Sequence, residues 1–372
     1  MTTLSSTQTS GAGRRAGGGM ARRVLGSQFV DLLLGPHGVD RYLELVRPSM
    51  TVSDARAEVV EVRSQTARSV TLSLRTNAAW GGFQAGQFVR AGFEIDGVRR
   101  TRTYSPACSE HRSDRGLELT VTEHPQGVVS GYLCDRLEPG SIVHLGSAQG
   151  EFVLPAERPQ RLVLISGGSG ITPVISMLRT LCDEGLPGEI RFIHYARTRA
   201  DWLYEREVRE LARRHPGIEV RFLATREGDG HLDAAALGDV GASSWGAVCG
   251  PPTLIDGARD AWSGRGGDQR RLLSETFTPP TITLSGDSAQ GSLRFLRSDR
   301  TAAIGAGTLL EQAEAAGLSP EFGCRMGICH TCTCRKVAGP VRNVLTGQVS
   351  DEEDEDIQLC ISAPAGDVAL EL

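Results

Sequence analysis

Four cysteines carry the most specific chemistry in this 372-residue chain. The segment EFGCRMGICHTC places Cys324, Cys329 and Cys332 in C-x4-C-x2-C spacing, and Cys360 follows after 27 intervening residues. Three thiolates from one loop and a fourth from a distant segment are what a 2Fe–2S cluster requires. The loop must wrap the cluster with backbone N–H groups facing the sulfurs, and Gly323 and Gly327 are placed to supply the backbone angles for that. Zinc is the competing chemistry, but zinc sites usually show two C-x2-C-like pairs and here there is one. Cys334 leaves a second register open, because Cys329-x4-Cys334 also fits. Cys332 is the preferred ligand; Cys334 is then a small buried residue in the strand leaving the loop.

A second set of residues suits a flavin. TRTYSPACS contains Arg102, Tyr104 and Ser105 on an alternating stretch. A flavin needs an aromatic face, a cation near phosphate and a hydrogen-bonding group near the central ring. Alternate residues of a strand share a face, so this segment can provide them. About 20 residues on, Gly127-Val128-Val129-Ser130 reads as a glycine turn into a helix start, a ready phosphate site.

A third set suits a nicotinamide nucleotide. LVLISGGSGITPVISML reads strand, glycine loop, helix, with Gly167, Gly168 and Gly170 letting the backbone approach a pyrophosphate. Thr172 is expected to cap that helix and Pro173 to occupy its first position. The G-x-G-x-x-G pattern is incomplete, because Pro173 holds the third glycine's place. CGPP follows a buried run and supplies Cys249, Gly250 and Pro251; SETF supplies Glu275 and Phe277. After RFIHYA come Arg197 and Arg199, with Arg206 further on. Arginines suit a 2'-phosphate, whereas an acid near the ribose suits NADH, so NADPH is the expected donor and Asp201 is the reason to keep NADH open.

CRMGICHTC resembles the cluster loop of plant-type ferredoxins, and that resemblance runs from about residue 281 to 372. It implies a β-grasp fold and ligation by Cys324, Cys329, Cys332 and Cys360. TRTYSPACS, HPQGVVSGYL, GGSGITP and CGPP together resemble the ferredoxin–NADP reductase superfamily. That resemblance implies FAD rather than FMN, with Arg102, Gly127, Val128 and Ser130 at the diphosphate, Tyr104 against the ring and Ser105 touching it. It also implies that Cys249 lies near the nicotinamide and that Glu275 and Phe277 approach the flavin. Reductase components that feed oxygenases, hydroxylases and desaturases are similar over about residues 54–372. GPHGVDRYLEL resembles the N-terminal extension of desaturase-linked members.

The elements that must position these groups follow from periodicity. Residues 1–20 are Ser/Thr/Gly-rich and expected to be disordered; 21–53 read as a helical extension. From residue 54 to 155 the period is two and turns are frequent, the pattern of an antiparallel β-barrel. Residues 156–277 alternate buried runs with helices, which means a parallel α/β sheet. Residues 278–290 read as a linker with the first ferredoxin strand, and 291–372 as an α+β ferredoxin domain with one helix, TLLEQAEAAGL, ended by Gly317.

Composition excludes other classes. With 40% hydrophobic and 23% charged residues the chain fits a soluble globular protein. A net charge of -5 argues against general nucleic-acid binding. No stretch has the length and apolarity of a membrane span, and no apolar signal core opens the chain, so a cytoplasmic location is expected. Clustered cysteines and an odd total of nine favour metal ligation over disulfides. The run SDEEDED at 350–356 has the spacing of a helix start, and its acids also suit docking of a basic partner.

The expected activity is electron transfer from NADPH through FAD and a 2Fe–2S cluster to an iron-containing acceptor, whether a desaturase, a haem-thiolate monooxygenase or another oxygenase. The expected chain is a monomer that meets a membrane only through its acceptor. A self-contained reductase of free flavin, ferric chelates or oxygen is the alternative.

Overall fold

The computed structural model describes residues 40, 49–114, 116–125, 127–185, 188–277, 291–323, 325, 327 and 330–372. The expected disordered residues 1–20, most of the extension 21–53, the linker 278–290 and the expected ligands Cys324 and Cys329 lie outside them.

The first unit is a six-stranded antiparallel sheet. Its strands are β1 (Arg56–Thr66), β2 (Ser69–Thr76), β3 (Val89–Ile95), β4 (Val98–Tyr104), β5 (Gly116–Thr122) and β6 (Ile142–Leu145), in the order β4-β3-β6-β1-β2-β5. Pro106, just beyond β4, bridges to Leu119 of β5, so the two ends of the sheet approach closure. Apolar residues alternate along the strands and fill the interior with Val59, Leu72, Phe93, Leu119 and their neighbours. The β3–β4 hairpin turns on Asp96-Gly97, both at positive φ, the backbone that a two-residue hairpin loop demands. Helix α1 (Val128–Asp135) packs its Val129 and Leu133 against this core.

The second unit is a five-stranded, all-parallel sheet. β7 (Arg161–Gly167), α2 (Ile171–Asp183), β8 (Glu189–Ala196), α3 (Glu205–Arg214), β9 (Ile218–Ala224), β10 (Trp245–Cys249), α4 (Pro252–Gly264) and β11 (Leu272–Glu275) follow one another in the chain. The strand order is β11-β10-β7-β8-β9. The direction of winding reverses between β7 and β10, and ligands of such sheets bind at the carboxyl ends of the strands beside that reversal.

The third unit joins β12 (Ser292–Phe295), β13 (Arg300–Ala303), β14 (Thr333–Ala338), β17 (Glu355–Gln358) and β19 (Val368–Leu370) into one sheet. β15 (Val341–Asn343), β16 (Val349–Ser350) and β18 (Ser362–Pro364) form a smaller one. β12 runs parallel to β19 and the other pairs are antiparallel, with α5 (Leu309–Ala315) packed against them: a β-grasp domain. Thr308 and Glu311 close a capping box at the start of α5, and Gly317 ends it at φ +77°.

Two local expectations are corrected. Thr172 does not cap α2. A 3₁₀ turn at Gly168–Gly170 runs directly into the helix, so Gly170 is the cap, Pro173 is the third helical residue rather than the first, and Thr172 lies inside the first turn, its Oγ1 donating to the Ser169 carbonyl at 3.2 Å. The acidic run does not start a helix either. Ser350 ends β16, Asp354 sits at φ +54°, and Glu355 begins β17 opposite Lys336. The fully buried Lys336 ammonium pairs with Glu355 at 3.1 Å, and Ser350 Oγ donates to the same carboxylate at 2.7 Å. A buried cation with no counter-charge is costly, so the ion pair holds this segment in the sheet.

The barrel and the parallel sheet meet through a buried polar clamp. Arg179 of α2 donates to Glu118 of β5, to the Ala107 carbonyl and to Glu207 of α3, each at 2.7 Å. Tyr204, the residue before α3, adopts φ +58°, rare for a side chain of this size, and its hydroxyl reaches Thr71 and Thr120 of the barrel. Ser176 of α2 donates to the Cys108 carbonyl at 2.7 Å.

Candidate active site

The strand β4 and the helix start at α1 lie on one wall of a cavity of about 430 Å³. Arg102, Thr103, Tyr104 and Ser105 line it with Gly127, Val128 and Ser130. Tyr104 is set in place by an edge-to-face contact with Phe93, ring centroids 6.3 Å apart, an arrangement worth about 0.5–1.5 kcal/mol beyond area burial. Burial raises the Tyr104 phenol well above its usual range, so its ring enters the cavity as a neutral aromatic face. Gly127 is the N-cap of α1 and offers no side-chain acceptor; a Cβ there would collide with Ser130 Oγ.

Two buried polar atoms at this cavity have no partner among the described residues: Ser105 Oγ and Glu275 Oε2. Unpaired buried polar atoms are rare and costly, and here they face a space of ligand size. The residues therefore fit a flavin: an aromatic face, an arginine, a helix start and two free hydrogen-bonding groups.

Glu275 ends β11, directly opposite Cys249 at the end of β10. Burial pushes its carboxyl up to about 8, so at pH 7 it is largely protonated and holds a proton inside the cavity. The Cys249 thiol is fully buried, and burial together with Glu275 raises it well above its usual value; it is a neutral thiol. The proton on Glu275 is held below pH 8 and lost as pH rises through 8. Turnover from NADPH to ferricyanide is expected to change near pH 8 in the native protein. Glu275→Gln keeps a neutral hydrogen-bonding side chain at every pH and is expected to lose that inflection. An inflection retained in the Gln variant assigns it to another group.

A second, larger cavity of about 960 Å³ opens at the carboxyl ends of β7, β8 and β10. It is lined by Gly167, Gly168, Gly170, Arg197, Asp201, Gly250 and Pro251. A Cβ on Gly170 would run into the Cys249 carbonyl, so only glycine allows the two loops to close on each other. Gly168 at φ +55° faces open space, where a pyrophosphate can approach the backbone. Thr122, His124, Ser169 and Phe277 line both cavities, so the two are continuous.

The arginines separate. Arg197 lines the second cavity and, among the described residues, pairs with no carboxylate. Arg199 pairs with Glu227 at 3.2 Å and lies over Trp202. Arg206 is exposed on α3 and lines neither cavity. Asp201 is engaged with Thr198, accepting from its Oγ1 at 2.7 Å.

At the third unit, Cys332 and Cys360 are both buried, and the Cys360 amide donates to Cys332 Sγ at 3.4 Å. An amide aimed at a sulfur is what a ligating thiolate needs. Gln358 donates to the Gly327 carbonyl at 2.7 Å and holds the loop to β17; Gly327 sits at φ +78°, where a Cβ would press into Ile361. Cys334 is buried two positions along β14, and burial pushes its thiol up to about 11. The geometry fits a cluster held by Cys332 and Cys360 with the two loop cysteines outside the described residues.

The sequence reading missed the far wall of the flavin cavity. Phe322, Gly323 and Arg325 line it, so the chain immediately around the first cluster cysteine borders the same space as Tyr104 and Ser105. An aromatic residue two positions before Cys324 was the available signal.

A flavin-type barrel, a nucleotide-binding parallel sheet and a cysteine-bearing β-grasp unit that meet at one cavity define an iron–sulfur flavoprotein of the NAD(P)H-dependent kind. Residues 55–154 match the oxidoreductase FAD-binding domain, 164–260 the oxidoreductase NAD-binding domain and 296–365 the 2Fe-2S iron-sulfur cluster binding domain. An NADPH oxidoreductase of Mycobacterium tuberculosis is 36% identical over 97% of this chain and 94% of its own. The glycine betaine monooxygenase reductase subunit of Pseudomonas aeruginosa is 29% identical over 78% of this chain and 87% of its own. Phthalate dioxygenase reductase shares the fold with a TM-score of 0.61, at 23% identity over 85% of this chain and 97% of its own. The chain belongs to the ferredoxin–NADP reductase superfamily, among the members that carry a C-terminal 2Fe–2S ferredoxin domain. Its cofactors are FAD, NAD(P)H and a 2Fe–2S cluster, and it is an oxidoreductase that passes electrons from the nucleotide through the flavin to the cluster.

Proposed function

We propose that this chain is the reductase component of an oxygenase system, delivering single electrons from its cluster to an iron-containing acceptor protein. The observation that carries this reading is the shared cavity: Phe322, Gly323 and Arg325 of the ferredoxin unit face Tyr104 and Ser105 across it. A cluster beside the flavin is an exit for electrons, and an exit needs a recipient. Relatives named as monooxygenase reductase subunits support an oxygenase as that recipient. Among the described residues no helix is long and apolar enough to cross a membrane.

In this reading the protein's residues bind and orient, and the redox chemistry belongs to the cofactors. Arg102, Gly127, Val128 and Ser130 hold the FAD diphosphate, Tyr104 covers the ring, and Ser105 and Glu275 meet its polar edge. Gly167, Gly168, Gly170, Gly250 and Pro251 shape the nucleotide site, Thr172 lines the flavin cavity beside it, Cys249 lies buried behind Gly170, and Phe277 borders both cavities. NADPH is the preferred donor, with Arg197 at its 2'-phosphate.

The acceptor is tested by mixing the NADPH-reduced protein anaerobically with purified candidate oxygenases, desaturases and haem-thiolate monooxygenases from the same cell. Reduction of one acceptor, slowing with added salt, is expected. Asp351, Glu352 and Glu353 are the acids to neutralise for the same test, because Glu355 is committed to Lys336 and the equally exposed Asp354 and Asp356 flank Arg335 at 3.8 and 3.6 Å. Free flavin or ferric chelate reduced as fast as any protein, and equally fast without the cluster, would establish the stand-alone reductase instead.

A further inference from the structure

We infer that Phe322 is a positioning residue that docks the cluster loop onto the flavin barrel by stacking on Arg102. This inference rests on the electron path proposed above and adds the device that sets its middle step. The Phe322 ring is shared by two guanidinium groups, one from each unit. Arg325 lies 3.8 Å from its centroid and Arg102 of β4 lies 5.2 Å from it. Both distances are within the range of cation–π attraction. The two cations repel each other across the ring, and the ferredoxin side neutralises its own: Arg325 is forked onto Glu314 of α5, with Nη1 to Oε2 at 3.1 Å and Nη2 to Oε1. Arg325 adopts φ +57°, a backbone that non-glycine residues seldom take, and with it the side chain lies against Phe322. Arg102 is anchored in turn by its Nη1 to the Thr101 carbonyl at 2.8 Å.

The consequence is coupling. Arg102 lines the flavin cavity and also faces the residue two positions before Cys324. Whatever orders the Arg102 guanidinium therefore favours the docked ferredoxin unit, and docking orders Arg102 for its ligand; such linkage is reciprocal. Electron transfer falls off exponentially with separation, so a loop held less often against the barrel slows the flavin-to-cluster step. The nucleotide cavity borders the flavin cavity at Ser169 and Phe277, and Phe322 does not line it.

The test uses the intact holoprotein. Phe322→Leu keeps an apolar side chain and removes the ring face; Phe322→Tyr keeps the face. In anaerobic stopped-flow with NADPH, the Leu variant is expected to reduce its cluster about tenfold more slowly relative to the bleaching of its own flavin, the shift expected from losing a desolvated cation–π contact. The Tyr variant is expected to restore the native rate. Without NADPH, hydrogen exchange in peptides covering residues 98–104 and 319–325 is expected to quicken in the Leu variant at unchanged iron content. Native exchange together with native cluster reduction in Phe322→Leu overturns the docking role. Loss of iron in that variant overturns it too, making Phe322 a scaffold of the loop. If NADPH fails to reduce the cluster even in the native protein, the electron path itself falls, a result distinct from either.

Discussion

Cys332→Ser and Cys360→Ser are each expected to remove the visible and paramagnetic signature of the 2Fe–2S cluster, while Cys334→Ser retains it. The reason is what each sulfur meets. Cys332 lies just before the strand with its sulfur accepting from the Cys360 amide, whereas Cys334 packs in the core with the neutral thiol of a buried residue. Cys324→Ser and Cys329→Ser carry the same expectation as Cys332→Ser from their spacing. Altering groups that merely support a metal ligand typically costs 10- to 100-fold, so loss of a ligand itself is expected to cut electron delivery to a protein acceptor by at least about 100-fold. Reduction of ferricyanide, a small acceptor that can draw on the flavin, is expected to stay close to native. Iron analysis, paramagnetic resonance of the dithionite-reduced protein and the two assays together check this. A Cys334→Ser protein without a cluster would place the third loop ligand at Cys334 and shift the register by two residues.

Most of the architecture was legible because each unit announces its period. Alternation in AEVVEVRSQTARSVTLSLRT became β1 and β2, and the buried runs RLVLIS, EIRFIHYA and WGAVCG became the centre of a parallel sheet. What alternation could not show is where the polar face of a strand points. Thr71, Glu118 and Thr120 are polar positions of β2 and β5, and Arg179 and Tyr204 of the next unit cover them. A contact between units has no local periodicity, so neither that clamp nor the Phe322 stack has a signature along the chain. The acidic run shows the same limit from the other side. Ser350 and Glu353 have capping-box spacing, but the cross-strand partner Lys336, distant in sequence, decides the conformation. At the start of α2 the glycines, by allowing a tight 3₁₀ turn, moved the helix cap ahead of Thr172.

Arg197→Ala is expected to raise KM for NADPH far more than KM for NADH. Arg197 follows the last residue of β8, at the carboxyl end of the sheet where such folds hold the ribose, and it lines the nucleotide cavity with no acidic partner among the described residues. A charged hydrogen bond to phosphate is worth roughly 1.5–3 kcal/mol, so its loss is expected to cost about 10- to 150-fold for NADPH. NADH has no 2'-phosphate and is expected to change little. Asp201 had argued for NADH, since an acid near the ribose hydroxyl selects it. In the fold its carboxylate accepts from the Thr198 hydroxyl and amide, which leaves it a local cap. Arg199→Ala is expected to have a much smaller effect, because Glu227 already occupies that guanidinium, and Arg206→Ala smaller still from its place outside the cavity. The four KM values for Arg197→Ala and native protein, each measured with ferricyanide as acceptor, decide the matter. Equal rises for both nucleotides would show that Arg197 touches a part common to the two and would remove the basis for NADPH preference.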